Sequence, residues 1–105
     1  MNLSDQRFHP RFPFRAKGIL TLMSQFVDVR IIDMSLSGAR VVLDGTHDVQ
    51  LRQHCALQIV TREGRELIKV ETSVVHRIAD RHIGLKLRNM TSAMEKSLLL
   101  ICTQN

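Results

Sequence analysis

The sequence predicts a mainly β protein: a six-stranded antiparallel β-barrel with a C-terminal α-helix and a flexible N-terminal arm. Six short runs of β-forming residues have alternating apolar positions and are separated by tight-turn signals. Near the C-terminus, the spacing of apolar residues changes to that of a helix. Short antiparallel strands with one apolar face each close economically into a barrel, because closure leaves no unpaired strand edge.

Length and composition predict a single domain. The chain has 105 residues, of which 44% are apolar, and this is enough for one compact core. We expect residues 1–15 to form a flexible basic arm and residues 16–105 to form the barrel with its helix. Pro10 and Pro13 remove backbone donors from the arm and oppose helix formation there.

The first three strands follow from alternation of apolar and polar residues. AKGILTL at 16–22 is predicted as the first strand, and FVDVRII at 26–32 as the second, with its valines and Ile31 on one face. GARVVL at 38–43 is predicted as the third. Asp44-Gly45 should end it, because an Asp-Gly pair is a strong turn signal.

Three further strands are predicted after a polar loop at 44–53. CALQIV at 55–60 alternates in the same way, and Glu63-Gly64 then turns the chain into a long fifth strand at 67–79. HIGLKL at 82–87 is predicted as the sixth. The apolar residues of the fifth strand that should share one face are Ile68, Val70, Val74 and Ile78.

The last segment predicts a helix that covers an open end or a flank of the barrel. Ser92 and Glu95 have the S-x-x-E spacing of a capping box, in which each side chain bonds a free backbone amide of the first turn. Met94, Leu98 and Ile101 follow at helical spacing.

Several classes of protein are excluded by what the sequence lacks. The five histidines form no H-x-x-x-H or H-E-x-x-H pair, and no Gly-rich phosphate loop is present, so we expect no enzyme, no metal site and no cofactor. No run approaches the roughly 18 apolar residues that a membrane span needs. Cys55 and Cys102 fit no zinc or C-x-x-C pattern, and two thiols without a signal peptide predict a reducing, cytoplasmic location.

Two short motifs stand out against a basic background. The net charge is +5, with 11 arginines and four lysines, and this favours bidentate recognition of phosphate-bearing partners. Arg7-x-x-x-Arg11 lies in the arm, and Asp33-x-Ser35-x-x-Gly38 lies between the second and third strands. The second motif also suits an ordinary Asx or Ser turn, since Asp and Ser bond nearby amides and Gly adopts positive φ.

With these motifs in this order, the sequence resembles the PilZ domain family, the bacterial receptors for cyclic di-GMP. The resemblance spans essentially the whole chain and includes Gly84 in IGLKL before a C-terminal helix. It implies a non-catalytic receptor with cyclic di-GMP as its ligand. Arg7/Arg11 is preferred over Arg11/Arg15 as the arginine pair. Many family members have an extra arginine directly before the R-x-x-x-R motif, and this chain has Gln6 there. The resemblance implies that this position selects between binding of one ligand molecule and binding of a stacked pair.

The chemistry of the ligand suits these residues. An arginine fork can pair with the O6/N7 edge of guanine or grip a phosphate, which are the roles expected of Arg7 and Arg11. Asp33 and Ser35 would accept from the N1–H and N2–H₂ donors of guanine, and Gly38 would let the backbone approach the ligand. Second-rank candidates are Gln6, His9, Arg15, Ser37 and Arg40.

We expect ligand binding to order the arm on the barrel and to present a new surface to an unidentified downstream protein. One alternative is a PilZ-like adaptor that works through protein contacts and ignores the nucleotide. Another is a small basic barrel that binds single-stranded nucleic acid. It ranks last, because such proteins stack bases on exposed aromatic side chains and this chain has no Trp or Tyr.

Overall fold

Six antiparallel strands close into a barrel in the order β1-β2-β3-β6-β5-β4, and one helix follows them. The structure is a computed structural model that describes residues 11–61 and 63–103. The elements are β1 Phe12–Leu22, β2 Gln25–Met34, β3 Gly38–Leu43, β4 His54–Val60, β5 Glu66–Arg77, β6 His82–Arg88 and α1 Ser92–Thr103. This architecture confirms the predicted fold class.

Alternating apolar side chains fill the barrel. The predicted inward face of β2 is confirmed, since Val27, Val29 and Ile31 are all buried. Val49, from the long loop between β3 and β4, is also buried and joins the same core. Helix α1 contributes Leu98, as its spacing predicted, so strands, loop and helix share one core.

Strand β1 begins earlier than predicted. It starts at Phe12 instead of residue 16, so residues 12–15, which were predicted as part of the arm, belong to the barrel. The register between β1 and β2 shifts between Pro13 and Ala16, and a proline is tolerated at such an irregularity. Phe14 is buried in the core. Residues 1–10 of the predicted arm lie outside the described residues.

Strand β5 differs from the prediction at its end. A register shift between Val74 and His76 places one extra residue, Val75, in β5 opposite β6. Because an extra residue reverses the alternation that follows it, the inward face ends at Val74. Ile78, predicted on that face, lies beyond the strand and is 52% exposed.

The start of α1 corrects the predicted capping box. The hydroxyl of Thr91 accepts a hydrogen bond from the Met94 amide at 3.1 Å, so Thr91 is the N-cap and Ser92 is already helical. Glu95 therefore falls one position beyond the place that a capping box requires.

The described part of the chain contains no helix long and apolar enough to cross a membrane. Residues 11–61 and 63–103 also hold no group of three His, Cys, Asp or Glu side chains that could bind a metal ion. Both cysteines are free thiols. Burial raises the pKa of Cys102 to about 11, and it also raises the pKa of Cys55.

Candidate functional site

A bulge near the end of β2 turns Asp33 toward the outer surface. Ile31 pairs with Val41 and Asp33 pairs with Arg40, so Ile32 is an extra residue on β2 opposite β3. Bulges commonly re-aim a side chain in this way. Ile31 stays in the core, whereas Asp33 is partly exposed beside Arg40 on the outside of the barrel.

Asp33 lies between two arginines. Arg11, immediately before β1, places Nη1 2.5 Å from Oδ1 of Asp33. Arg40 places Nε 3.8 Å from Oδ2, which is close enough for charge attraction but too long for a hydrogen bond. Two guanidinium groups around one carboxylate leave a surplus positive charge, which favours an anionic ligand. The side chains of Arg11 and Arg40 are 46% and 47% exposed, so both can reach a ligand from solvent.

Ser35 holds the turn between β2 and β3 together. Its hydroxyl accepts hydrogen bonds from the amides of Gly38 at 3.0 Å and Ser37 at 3.2 Å. Its own amide donates to the Gly38 carbonyl at 2.8 Å. Ser35 is 2% exposed, so in this conformation the side chain is occupied by the turn and does not face a surface ligand. The Ser35 hydroxyl therefore has the role of an ordinary Ser turn, which was the other interpretation of this motif.

Gly38 is needed because other groups come close to its Cα. A Cβ at this position would lie 2.9 Å from the Leu85 carbonyl oxygen and 3.3 Å from Nη2 of Arg11. The glycine therefore lets β3 approach β6, and it lets the Arg11 guanidinium lie over the start of β3. The φ angle of Gly38 is not positive, so the glycine is needed for space and not for turn conformation.

The loop is also fixed to β6. The Leu87 amide donates to the Ser37 carbonyl at 2.9 Å. Leu36, between the two serines, is partly buried and packs against the core. The backbone hydrogen bond from Leu87 and the packing of Leu36 thus hold the loop on the barrel. The fixed loop in turn keeps Asp33, near the end of β2, in position.

The outer surface beside Arg40 continues across Gly84 and His76, which were not predicted as site residues. Arg40 pairs with Gly84 on β6, and Gly84 pairs with His76 on β5. The His76 side chain packs against Gly84, where an added Cβ would be 3.3 Å from the Cβ and the ring Cδ2 of His76. Asp33, Arg40, Gly84 and His76 therefore form one row across four strands. The bulge that turns His76 outward leaves no simple sequence signal.

The structure brings together some of the predicted site residues. Arg11, Asp33, Gly38 and Arg40 are adjacent on the outside of the barrel, with Ser35 beneath them and Ser37 partly buried in the same loop. Arg15 is exposed on β1 and makes no described contact with Asp33. Gln6, Arg7 and His9 lie outside the described residues.

A family model, the PilZ domain, matches residues 5–104 of the chain. No curated protein matches the sequence.

Solved structures share the fold at low sequence identity. The PilZ domain with c-di-GMP of YcgR from Escherichia coli superposes with a TM-score of 0.76 and 13% identity, covering 95% of this chain and 91% of that one. The Bacillus subtilis inhibitor of motility, MotI/DgrA, superposes with a TM-score of 0.73 and 17% identity, and the match covers 96% of this chain and 51% of that one. The PilZ domain of CeSA from a cellulose-synthesizing bacterium superposes with a TM-score of 0.70 and 16% identity, and the match covers 90% of this chain and 96% of that one.

Proposed function

The chain belongs to the PilZ domain family, and from this premise we propose that it is a non-catalytic receptor that binds cyclic di-GMP. The proposed site is the outer surface at the end of β2, the start of β3 and the residue before β1. The proposed output is a change of conformation that a downstream protein recognises.

One observation carries the proposal: Arg11 meets Asp33 beside Gly38. These residues come from the two motifs that the sequence analysis singled out, and the fold places them within contact of one another. An arginine, a carboxylate and a position without a side chain are the groups that a guanine dinucleotide would use. The family assignment supports the same ligand.

The roles follow from the chemistry of each group. Asp33 Oδ2 is 3.8 Å from Arg40 and makes no hydrogen bond with it, so this oxygen can accept from guanine N1–H and N2–H₂. Arg11 uses Nη1 on Asp33 and keeps its other donors for a phosphate or for the O6/N7 edge of guanine. We propose Arg7 as the second cation.

The role of Ser35 is revised from the one expected on the sequence. Its hydroxyl already accepts two backbone amides, so we propose that it positions the loop and that Asp33 provides the acceptor for guanine.

We extend the site to His76 and Gly84. Gly84 has no side chain, and the His76 side chain lies close against it, in the same row as Arg40. A planar base can pack on an imidazole ring with its edge toward Arg40 and Asp33. The base and the phosphate contacts would then lie on one face of the barrel.

The proposed switch uses the charge balance at Asp33. Nucleotide phosphates would compete with Asp33 for Arg11, and residues 1–10 would close over the bound ligand. An adaptor that ignores the nucleotide would not need this site. Binding of cyclic di-GMP at the site therefore distinguishes a receptor from an adaptor.

The proposal is tested by titrating the isotope-labelled protein with cyclic di-GMP and following amide chemical shifts. We expect saturable shifts at residues 33–40 and at Gly84 and His76, with cyclic di-AMP as the matched control that lacks the guanine O6 acceptor. The titration also gives the number of ligand molecules bound. Absence of shifts at millimolar ligand would reject the receptor function and leave the adaptor.

A further inference from the structure

A second cleft lies on the barrel next to the Arg11–Asp33 pair, since its lining residue Ile32 directly precedes Asp33 in β2. It has a volume of about 770 Å³ and is bounded by the outer face of β1 and β2 and by the turn between β4 and β5. Its basic lining residues are Arg15, Lys17 and Arg30. Its apolar lining includes Ile32, Val60 and Leu67. We call this feature the basic cleft.

The cations of the basic cleft form no ion pair with any residue that the structure describes. Lys17 and Arg30 are directly opposite one another on β1 and β2, and like charges in that position destabilise a sheet. In the described chain, ion pairs are formed by Arg11 and Arg40 with Asp33, and none involves Arg15, Lys17 or Arg30. The cleft therefore holds a repulsion that an anionic partner would relieve.

The charge of the lining is clearly positive. Glu63, in the turn after β4, is the acidic lining residue, so three cations face one carboxylate, for a net charge of +2. Glu63 forms no ion pair in the part of the chain described by the structure. Carboxylates placed between Lys17 and Arg30 would thus be attracted from both sides.

The apolar residues of the lining indicate that a partner of the cleft needs aliphatic side chains as well as negative charge. Leu67 is 46% exposed at the start of β5, and Ile32 is partly exposed on the neighbouring wall. An exposed leucine next to cations that form no described ion pair favours a partner that has aliphatic as well as acidic side chains. Covering Leu67 would remove apolar surface from water and add to the affinity.

We propose that the basic cleft is a docking surface for an acidic protein segment that alternates carboxylate and aliphatic side chains. Single-stranded nucleic acid fits less well, because base stacking needs an exposed aromatic ring. The aromatic lining residue Phe14 is only 3% exposed. A flat anionic membrane cannot enter a concave cleft as deeply as a peptide can. The lining of the cleft includes neither Arg11 nor Asp33, and this proposal does not depend on the proposed nucleotide site.

The test uses designed probes on the full chain. The first is a synthetic peptide of alternating glutamate and leucine, with a control peptide in which serine replaces leucine. The others are a deoxythymidine oligonucleotide and phosphatidylglycerol vesicles. Amide shifts locate the binding surface, and fluorescence anisotropy of labelled probes or vesicle co-sedimentation gives the affinity.

The protein variants are matched in charge. Lys17→Glu reverses one cation of the cleft and should fold, because it places a carboxylate opposite Arg30. Lys69→Glu makes the same change on β5, opposite Gln58 and outside the cleft. We expect Lys17→Glu to weaken binding of the glutamate–leucine peptide at least tenfold, Lys69→Glu to weaken it less than threefold, and the serine peptide to bind at least fivefold more weakly.

Three results would overturn the proposal: no peptide binding at 1 mM, an equal effect of the two lysine variants, or tighter binding of the oligonucleotide or the vesicles than of the peptide. Cyclic di-GMP affinity is measured in parallel on Lys17→Glu. Because Lys17 is not part of the proposed nucleotide site, an unchanged nucleotide affinity separates failure of the docking surface from failure of the receptor function.

Discussion

Nη1 of Arg11 lies 2.5 Å from Oδ1 of Asp33, although the two residues are 22 positions apart in the chain. The contact exists because Pro13 pairs with Asp33 where β1 and β2 run antiparallel. The residue just before β1 is therefore next to the residue near the end of β2. A cation from one motif and an acid from the other thus share one surface of the barrel.

Replacing either member of this pair should disrupt nucleotide binding. We expect Arg11→Ala and Asp33→Ala each to weaken cyclic di-GMP binding by about 10-fold to 100-fold, since hydrogen bonds to charged groups contribute about 1.5–3 kcal/mol. Isothermal titration calorimetry measures the change. Circular dichroism should show an intact barrel in both variants, because both side chains are on the outer surface.

Lys69→Ala is the matched control for these two variants. Lys69 is on β5 opposite Gln58 of β4, in the half of the strand away from His76, and its loss should leave nucleotide affinity within about twofold of wild type. Unchanged affinity in both Arg11→Ala and Asp33→Ala would end the assignment of the site.

The architecture was predictable because the sequence alternates cleanly where one strand face is buried. Val27, Val29 and Ile31 show this period of two, and their burial follows from it. Asp33 and Gly38 could be predicted as site residues because acid, hydroxyl and glycine have the D-x-S-x-x-G spacing of the family motif, between two predicted strands.

The remaining details depend on bulges and on contacts between distant strands. The extra residues Ile32 and Val75 turn Asp33 and His76 outward, and a shift of one residue cannot be read from apolar alternation alone. The Leu85 carbonyl approaches Gly38 across β3 and β6, a pairing between strands that do not follow one another in the chain. For this reason the role of Gly38 needed the three-dimensional structure.

Ser35→Ala should act on stability more than on ligand contacts. The change would leave the amides of Ser37 and Gly38 without their acceptor in a buried turn, and we expect a loss of about 1–3 kcal/mol in the free energy of unfolding. Urea denaturation followed by circular dichroism measures this loss. Ser37→Ala is the control and should cost less, because its side chain makes one described hydrogen bond, to the Ser35 hydroxyl. Equal stability of the Ser35 variant and wild type would contradict the structural role.

Gly38→Ala should lower the free energy of unfolding more than Gly84→Ala, because the added methyl group meets backbone at Gly38 and a side chain at Gly84. The Gly38 variant places a methyl group 2.9 Å from a backbone oxygen, so we expect a loss of about 1–3 kcal/mol in unfolding free energy. At Gly84 the neighbour is the His76 ring, a side chain that can move, and the loss should be below about 1.5 kcal/mol. Denaturant titrations of both variants test the order of these values. A Gly84 variant less stable than the Gly38 variant would contradict the packing described for β3 and β6.

Cys102 should make the fold sensitive to alkaline pH. Burial raises the pKa of its thiol from 9.0 to about 11, so the folded state holds the proton more tightly than the unfolded state. The resulting stabilisation is fully present below pH 9 and is lost as the pH rises from 9 to 11. Thermal unfolding of wild type and Cys102→Ala between pH 8 and 11 tests this. The variant should lose less stability over that range, and parallel curves for the two proteins would contradict the prediction.

Lys17→Glu should make the unliganded protein more stable while it removes the proposed docking function. The substitution replaces a like-charge pair opposite Arg30 by an opposite-charge pair, and we expect a gain of about 0.2–1 kcal/mol in unfolding free energy. Lys17→Gln should give an intermediate value, because it removes the repulsion without adding attraction. Urea denaturation at low and high salt measures both variants, and the gain should shrink as salt screens the charges. A Lys17→Glu protein that is less stable than wild type at low salt would show that Lys17 and Arg30 do not repel one another across β1 and β2.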